Sequence, residues 1–228
     1  MGISKHERAL MELLEVFRGK NTVLCYKDDS EPAGLVMQIA REIGTKDELP
    51  VIRICWNENE LGNNNFDDFA SSINSFYIFR NFTTALIRIE KLIARKKHLI
   101  IVSDISNLEA ELNSRAYIRF LSILLRKSED YKSSMITTFS ENYGNTLVKA
   151  ELVPHFNNRF LLRDERIIHE NNKIPDIKYS IRENRLHIEP HFKDDMKKIK
   201  DIFTLTPEEK KELDKIVGQS LEEYRTSM

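Results

Sequence analysis

Two hydrophobic patterns alternate along the chain. Short apolar-rich runs at 22–26, 51–55, 99–102, 134–139 and 159–162 have the length of strands, and Leu99 to Val102 is an unbroken run of large apolar side chains, as in a strand buried on both faces. Between these runs the apolar residues recur at helical spacing. Leu10, Leu13, Leu14 and Phe17 predict a helix over 4–17; Leu35, Ile39 and Ile43 predict one over 32–43; Leu86, Ile89 and Ile93 predict one over 82–97. Helices are also expected over 116–126 and 147–152, and a strand over 75–80. Residues 56–74, with Asn63, Asn64 and Asn65 in succession, read as a loop holding at most a short helix over 66–70. Asp29 or Ser30 suits the N-cap of the 32–43 helix, Pro32 its first turn and Gly44 its exit.

Beyond residue 174 the pattern changes. Ile177 to Ile181 and Arg185 to Ile188 flank Arg182-Glu183-Asn184, which predicts an antiparallel hairpin at the sheet edge, ended by Pro190. Residues 191–228 are charged and helical, with Thr206-Pro207-Glu208-Glu209 as an N-cap sequence. The expected architecture is therefore α/β: a mostly parallel central sheet flanked by helices, closed by an edge hairpin and a terminal helix. The core is expected over 1–190, opening with the 4–17 helix, and a helical extension over 191–228.

Charge changes this picture little. The chain carries 35 Lys and Arg against 36 Asp and Glu, a net −1, and the signs are interleaved, which argues against a dedicated nucleic-acid binder. A local basic face stays open, because Arg88, Lys91, Arg95, Lys96 and Lys97 gather on one predicted helix. The two cysteines, Cys25 and Cys55, each sit in a strand-like run and read as reduced core thiols. No apolar run approaches the ~20 residues of a membrane span, and the amphipathic start lacks the pattern of a signal peptide, so a cytoplasmic protein without a membrane partner is expected.

Ligands of parallel sheets sit at the carboxyl ends of strands. There the sequence places Asp28, Asp29 and Glu31 after the first strand, Trp56 and Glu58 after the second, and Asp104 after the 99–102 run. These six residues are the candidate crevice. Asp28, Asp29 and Asp104 are the candidate ligands of a divalent cation, since hard cations favour carboxylate oxygens, although acidic residues before helices also complement the helix dipole. His187, Glu189 and His191 alternate, but Pro190 interrupts them. There is no G-x-S-x-G elbow and no Cys beside a His, so no catalytic residue and no cofactor is assigned.

A phosphate-binding loop needs glycines that let backbone N–H groups wrap the phosphates, a lysine for their outer oxygens, and a hydroxyl for magnesium. After the first strand those landmarks fall on Tyr26, Glu31, Pro32 and Ala33, and Asp28 and Asp29 add negative charge where a triphosphate would sit. Gly19-Lys20 precedes the strand and reads as the turn into it.

Several stretches carry a family resemblance. Leu99-Ile100-Ile101-Val102-Ser103-Asp104 resembles the Walker B strand of the RecA-like ATPases, in the branch of KaiC and the RadA recombinases. Ile105 to Leu108 and the helix from Ala116 to Leu121 are similar to the stretch after that strand. The strand with Thr137 and Thr138, the late strand Arg159 to Leu162, and the hairpin from Tyr179 to Pro190 also fall in place, so the resemblance spans roughly 19–190. It implies a RecA-like core in which Asp104 is the carboxylate that normally orients magnesium, and assembly through terminal helices and sheet edges. The departure at the phosphate loop points to a degenerate, non-catalytic member with a binding or regulatory role. Its partner would be another protein or a second copy, with Leu213, Ile216, Val217, Leu221 and Tyr224 as the candidate interface; packing of that stripe on its own domain is the other reading of the same spacing. Three other readings stay open. One is a small-molecule sensor using the vacated crevice, lined by Trp56, Phe66, Phe76 and Tyr77; the others are a DNA recombination or repair accessory and a magnesium-dependent phosphohydrolase.

Overall fold

The computed structural model describes residues 5–27, 32–56, 72–77, 81–106, 114–171, 176–183 and 185–189, all within the unit Met1–Pro190. The unit His191–Met228, with the apolar stripe from Leu213 to Tyr224, lies outside the described residues. Helix α1 (Lys5–Phe17) leads into β1 (Asn21–Tyr26), α2 (Pro32–Asp47), β2 (Val51–Cys55), β3 (Ile73–Tyr77), α3 (Phe82–Ile93), β4 (Leu99–Val102), α4 (Ser114–Asp130), β5 (Ser134–Ser140) and α5 (Thr146–Glu151). A 3-10 turn over Val153–His155 comes next, then β6 (Asn158–Arg163), β7 (Arg166–His169), β8 (Ile177–Arg182) and β9 (Arg185–Ile188).

The strands lie in the order β3-β2-β4-β5-β1-β6-β7-β8-β9. From β3 to β6 all neighbours are parallel; from β6 to β9 they are antiparallel. Every residue of β2, β4 and β5 is buried because both sheet faces are covered. Alternate side chains feed two cores. Cys25, Ile54, Val102, Met135 and Phe139 join Ile89 of α3 and Leu121 and Leu124 of α4 on one face. Leu24, Val51, Ile101 and Ile136 join α1 and α2 on the other. Leu35, Ile39 and Ile43 of α2 are fully buried there, each stabilising the fold by about 1.5–3 kcal/mol relative to exposure. Among the described residues no helix is long and apolar enough to cross a membrane.

Helix α3 ends at Ile93 rather than residue 97 and α4 runs over 114–130 rather than 116–126, and three further differences have a local cause. Helix α2 does not stop at Gly44, which is buried inside it; it ends at Asp47, where Glu48 takes a positive φ of 49° and the Leu49 N–H donates to the Gly44 carbonyl at 3.3 Å, closing the helix end without a glycine at the turn. Strand β3 starts at Ile73 rather than residue 75, because Val51 pairs with Ile73. Strand β7 was not expected at all. It is reached from β6 by Asp164-Glu165, both at positive φ (49° and 56°), a two-residue hairpin turn without the glycine that ordinarily marks one.

The amino edge of the sheet is held by polar groups. Arg18, after α1, forks onto Asp47 at the end of α2, with Nε–Oδ2 at 2.8 Å and Nη2–Oδ1 at 2.9 Å. Asn21 donates from Nδ2 to the Leu125 carbonyl at 2.8 Å and accepts from Ser128 Oγ at 2.6 Å, fastening β1 to α4. His98, only 5% exposed, donates from Nδ1 to the Lys96 carbonyl at 2.7 Å. Burial pushes its imidazole below the ordinary histidine range, an effect larger than the opposing hydrogen bond to Lys96. The unfolded chain therefore binds the His98 proton at a higher pH than the folded one. Its contribution to stability is full above the unfolded value near 6.5 and is lost as pH falls from there through the folded value. Urea midpoints measured from pH 7.5 to 5 should fall more steeply for the wild-type chain than for His98→Gln.

Cys25 and Cys55 are both buried and neither forms a disulfide among the described residues. Burial first, and the nearby Glu141 carboxylate second, push Cys25 up to about 12, the behaviour of an inert core thiol.

Candidate functional site

The centre of the carboxyl edge is built by the ends of β2, β4, β5 and β1. Asp104 follows β4 and is half-buried, with a donor on each carboxylate oxygen. Oδ1 accepts from the Ser106 N–H at 2.7 Å, and Oδ2 accepts from the Thr138 hydroxyl of β5 at 2.6 Å. The preceding carbonyl, of Ser103, accepts from Thr137 Oγ1 at 3.1 Å and from the Trp56 indole Nε1 at 3.3 Å. The Ser103 N–H in turn donates to the Ile54 carbonyl at 2.9 Å. The turn after β4 is thus pinned to both neighbouring strands, and Asp104 serves as its clamp.

The clamp extends sideways. Ser106 Oγ accepts a short bond from the Ser140 N–H, and its carbonyl accepts from the Asn145 N–H at 3.1 Å. Asn145 then caps α5, its Oδ1 receiving the Leu147 and Val148 N–H groups at 2.9 and 3.4 Å. At the end of β1 the Glu141 N–H donates to the Tyr26 carbonyl at 2.7 Å, and the Glu141 carboxylate pairs with Lys149 of α5 at 3.0 Å.

Of the six candidate crevice residues, Trp56 and Asp104 are described and stand on adjacent strands, β2 and β4, linked through Ser103. Asp28, Asp29, Glu31 and Glu58 lie outside the described residues, as does Phe66. Trp56 packs edge-on against Tyr117 of α4, ring centroids 4.5 Å apart, and Phe76 is buried in the same core. Among the described residues no three His, Cys, Asp or Glu side chains gather as a metal site. Glu189 of the alternating His187–His191 stretch is paired with Lys178 at 3.1 Å.

Sequence reasoning noticed Asp104 but not what holds it. The available signal was the pair Thr137-Thr138 in the middle of a buried strand: a hydroxyl in a fully covered strand needs an acceptor, and here Ser103 and Asp104 supply both. Ser106 gave no comparable signal, since its hydroxyl and carbonyl meet the Ser140 and Asn145 N–H groups, which only the fold brings close, whereas the cap that Asn145 places on α5 is local.

No family model and no curated protein matches the sequence. In structure the chain is similar to the crystal structure of a KaiC-like protein from the hyperthermophilic archaeon Pyrococcus horikoshii OT3. The TM-score is 0.54 and the identity 12%, over 76% of this chain and 90% of that one. At that identity the likeness is one of fold. In this chain a single strand, β5, separates β1 from β4, the strand that Asp104 follows. The architecture is therefore RecA/KaiC-like, with an antiparallel β7–β9 extension at the sheet edge.

Proposed function

We propose that this chain is a non-catalytic RecA/KaiC-like protein that keeps the fold as a binding or regulatory module and acts through protein contacts in the cytoplasm. The observation that carries the reading lies at the carboxyl end of β1. Tyr26, Glu31, Pro32 and Ala33 stand at the landmark positions of a phosphate loop, with Asp28 and Asp29 between them. Four or five backbone N–H groups and a lysine would be needed there to hold a triphosphate, and negative charge opposes it. In this reading Asp104 serves as a clamp of the turn after β4, holding the Ser106 N–H and the Thr138 hydroxyl, a role that needs no cation. The proposed contact surface is the apolar stripe Leu213, Ile216, Val217, Leu221 and Tyr224, whose helical spacing calls for burial; in this reading another protein or a second copy covers it rather than its own domain.

A thermal-unfolding series tests this. Any ligand of the folded state raises the midpoint, by an amount equivalent to about 2.7 kcal/mol at one hundred times its Kd. Millimolar Mg-ATP, Mg-GTP and magnesium alone are each expected to leave the midpoint unchanged. A rise with either nucleotide overturns the proposal, and a rise with magnesium alone assigns Asp28, Asp29 and Asp104 to a cation instead.

A further inference from the structure

The near-zero net charge of the chain conceals a separation that the fold makes. Residues 82–97 and 114–130, which form α3, its exit turn and α4, carry nine Lys and Arg against three acidic residues, on a chain whose total is −1. Helices α3 and α4 cover the same face of the sheet and pack on one another through Phe82 against Tyr117 and Phe120. Each joins two parallel strands, so the two helices run in the same direction, side by side.

The basic residues fall on their outward stripes. On α3 and its exit turn, Lys91, Arg95 and Lys97 are exposed, while Ala85, Ile89 and Ile93 face the sheet. On α4, Arg115, Arg119 and Arg126 are exposed and recur at helical spacing, opposite the buried Tyr117, Leu121, Leu124 and Ser128. Among the described residues none of these six cations has an acidic partner, whereas Glu90 is taken by Lys127 at 2.6 Å and Glu129 by Asn157 at 2.9 Å. Glu90 is thus neutralised by Lys127, and with Glu129 and Asp130 as the remaining acids of these two segments the pair of helices keeps a net positive charge.

We infer that the α3–α4 face binds the phosphate backbone of duplex DNA. Other occupants fit the face less well. A protein partner would need an apolar centre with aromatic anchors and few charges, yet Ile87 is the one exposed large apolar side chain among the described residues of these two helices. A lipid surface would need several such residues to insert, and a single strand would need exposed aromatic rings on which bases stack. What remains is a surface of cations without an acidic partner among the described residues. They are spread along two packed parallel helices, from Arg115 and Arg119 near the start of α4 to Arg95 and Lys97 beyond the end of α3, a length of positive charge suited to B-form DNA, which carries one negative charge per ~1.7 Å of axis. With no fork aimed at base edges, binding should be independent of sequence. It should also be independent of whether the chain holds a nucleotide.

Fluorescence anisotropy of the full chain with a labelled random 25-base-pair DNA duplex tests it. With about five phosphates neutralised, log K should fall against log salt with a slope near −4.5, a loss of roughly 500-fold between 50 and 200 mM. This slope needs no variant. The quadruple variant Lys91→Glu, Arg95→Glu, Arg119→Glu, Arg126→Glu should lose binding by at least about 100-fold. A charge-matched control on the β7–β9 edge, Arg166→Glu, Lys178→Glu, Arg182→Glu, Arg185→Glu, should retain it. Unfolding midpoints of both variants establish that they fold. Absence of salt-dependent binding, equal loss in both variants, tighter binding to duplex RNA or to an oligo-dT strand, or preferential binding to anionic phospholipid vesicles each overturns the inference.

Discussion

Replacing Tyr117 with alanine is expected to remove about 3–5 kcal/mol of stability, the range for emptying a large aromatic site in a packed core. Tyr117 is fully buried and is among the largest such side chains of the chain. Its ring meets Trp56 edge-on at 4.5 Å and Phe82 edge-on at 6.2 Å, so the deletion also forfeits two aromatic contacts worth about 0.5–1.5 kcal/mol each. The surrounding strands cannot collapse into the hole, because β2 and β4 are paired on both sides. Trp56 is the single tryptophan of the chain, which makes the change visible. Urea unfolding followed by its emission should show a lowered midpoint with an unchanged slope, together with a red-shifted native spectrum as water reaches the indole. A loss below about 1 kcal/mol would mean that this face of the sheet is not packed around the Tyr117 ring.

The second large effect is expected at Gly144, in the turn between β5 and α5. A Cβ there would fall inside the van der Waals envelopes of the Phe139 ring and of the Ser140 carbonyl oxygen. The ring could turn away, but the carbonyl belongs to the backbone and also accepts the Gly144 N–H at 3.0 Å. Gly144→Ala should therefore cost about 3 kcal/mol, the upper end of overpacking penalties. Shrinking the ring in Gly144→Ala/Phe139→Leu should recover only part of that loss, because the carbonyl stays. The strain should spread to the neighbouring polar links. Amide exchange of Asn145 and Leu147, bonded to Ser106 and to the Asn145 side chain, should accelerate more than that of the β1 strand. Full rescue by the second change would show that the ring alone sets the barrier.

These two sites differ in how legible they were. Tyr117 sits at helical spacing with Leu121 and Leu124, so its burial follows from periodicity. Gly144 occurs in the polar stretch Glu141-Asn142-Tyr143-Gly144-Asn145, where a glycine reads as ordinary turn punctuation. Its close approach to Phe139 depends on how the chain folds back over the end of β5. The candidate crevice divides in the same way. Strand ends are readable, so Trp56 and Asp104 could both be assigned to the carboxyl edge in advance, whereas their neighbouring positions follow from the β2–β4 pairing that only the fold sets. The bonds from Thr138 and Ser106 to Asp104 depend on strand pairing, and β4–β5 registry is a long-range property.

Hydrophobic period and chain punctuation by themselves determined that this is an α/β chain with buried parallel strands, a closing hairpin and no glycine-lysine loop after its first strand. Those properties are local, written in the spacing of Leu35, Ile39 and Ile43, in the run Leu99 to Val102, and in the acids after Tyr26. Tertiary structure alone decided the order of the strands, the extra strand β7 entered through Asp164-Glu165, and the continuation of α2 past Gly44. It also decided the charge map. Interleaved signs average to nearly zero along the sequence, but helices turn one stripe outward and bury another, and α3 with its exit turn and α4 turn Arg95 and Arg119 outward on the same side of the sheet. Sequence distance carries no record of that gathering, because Coulomb interactions act through space and the fold sets the distances.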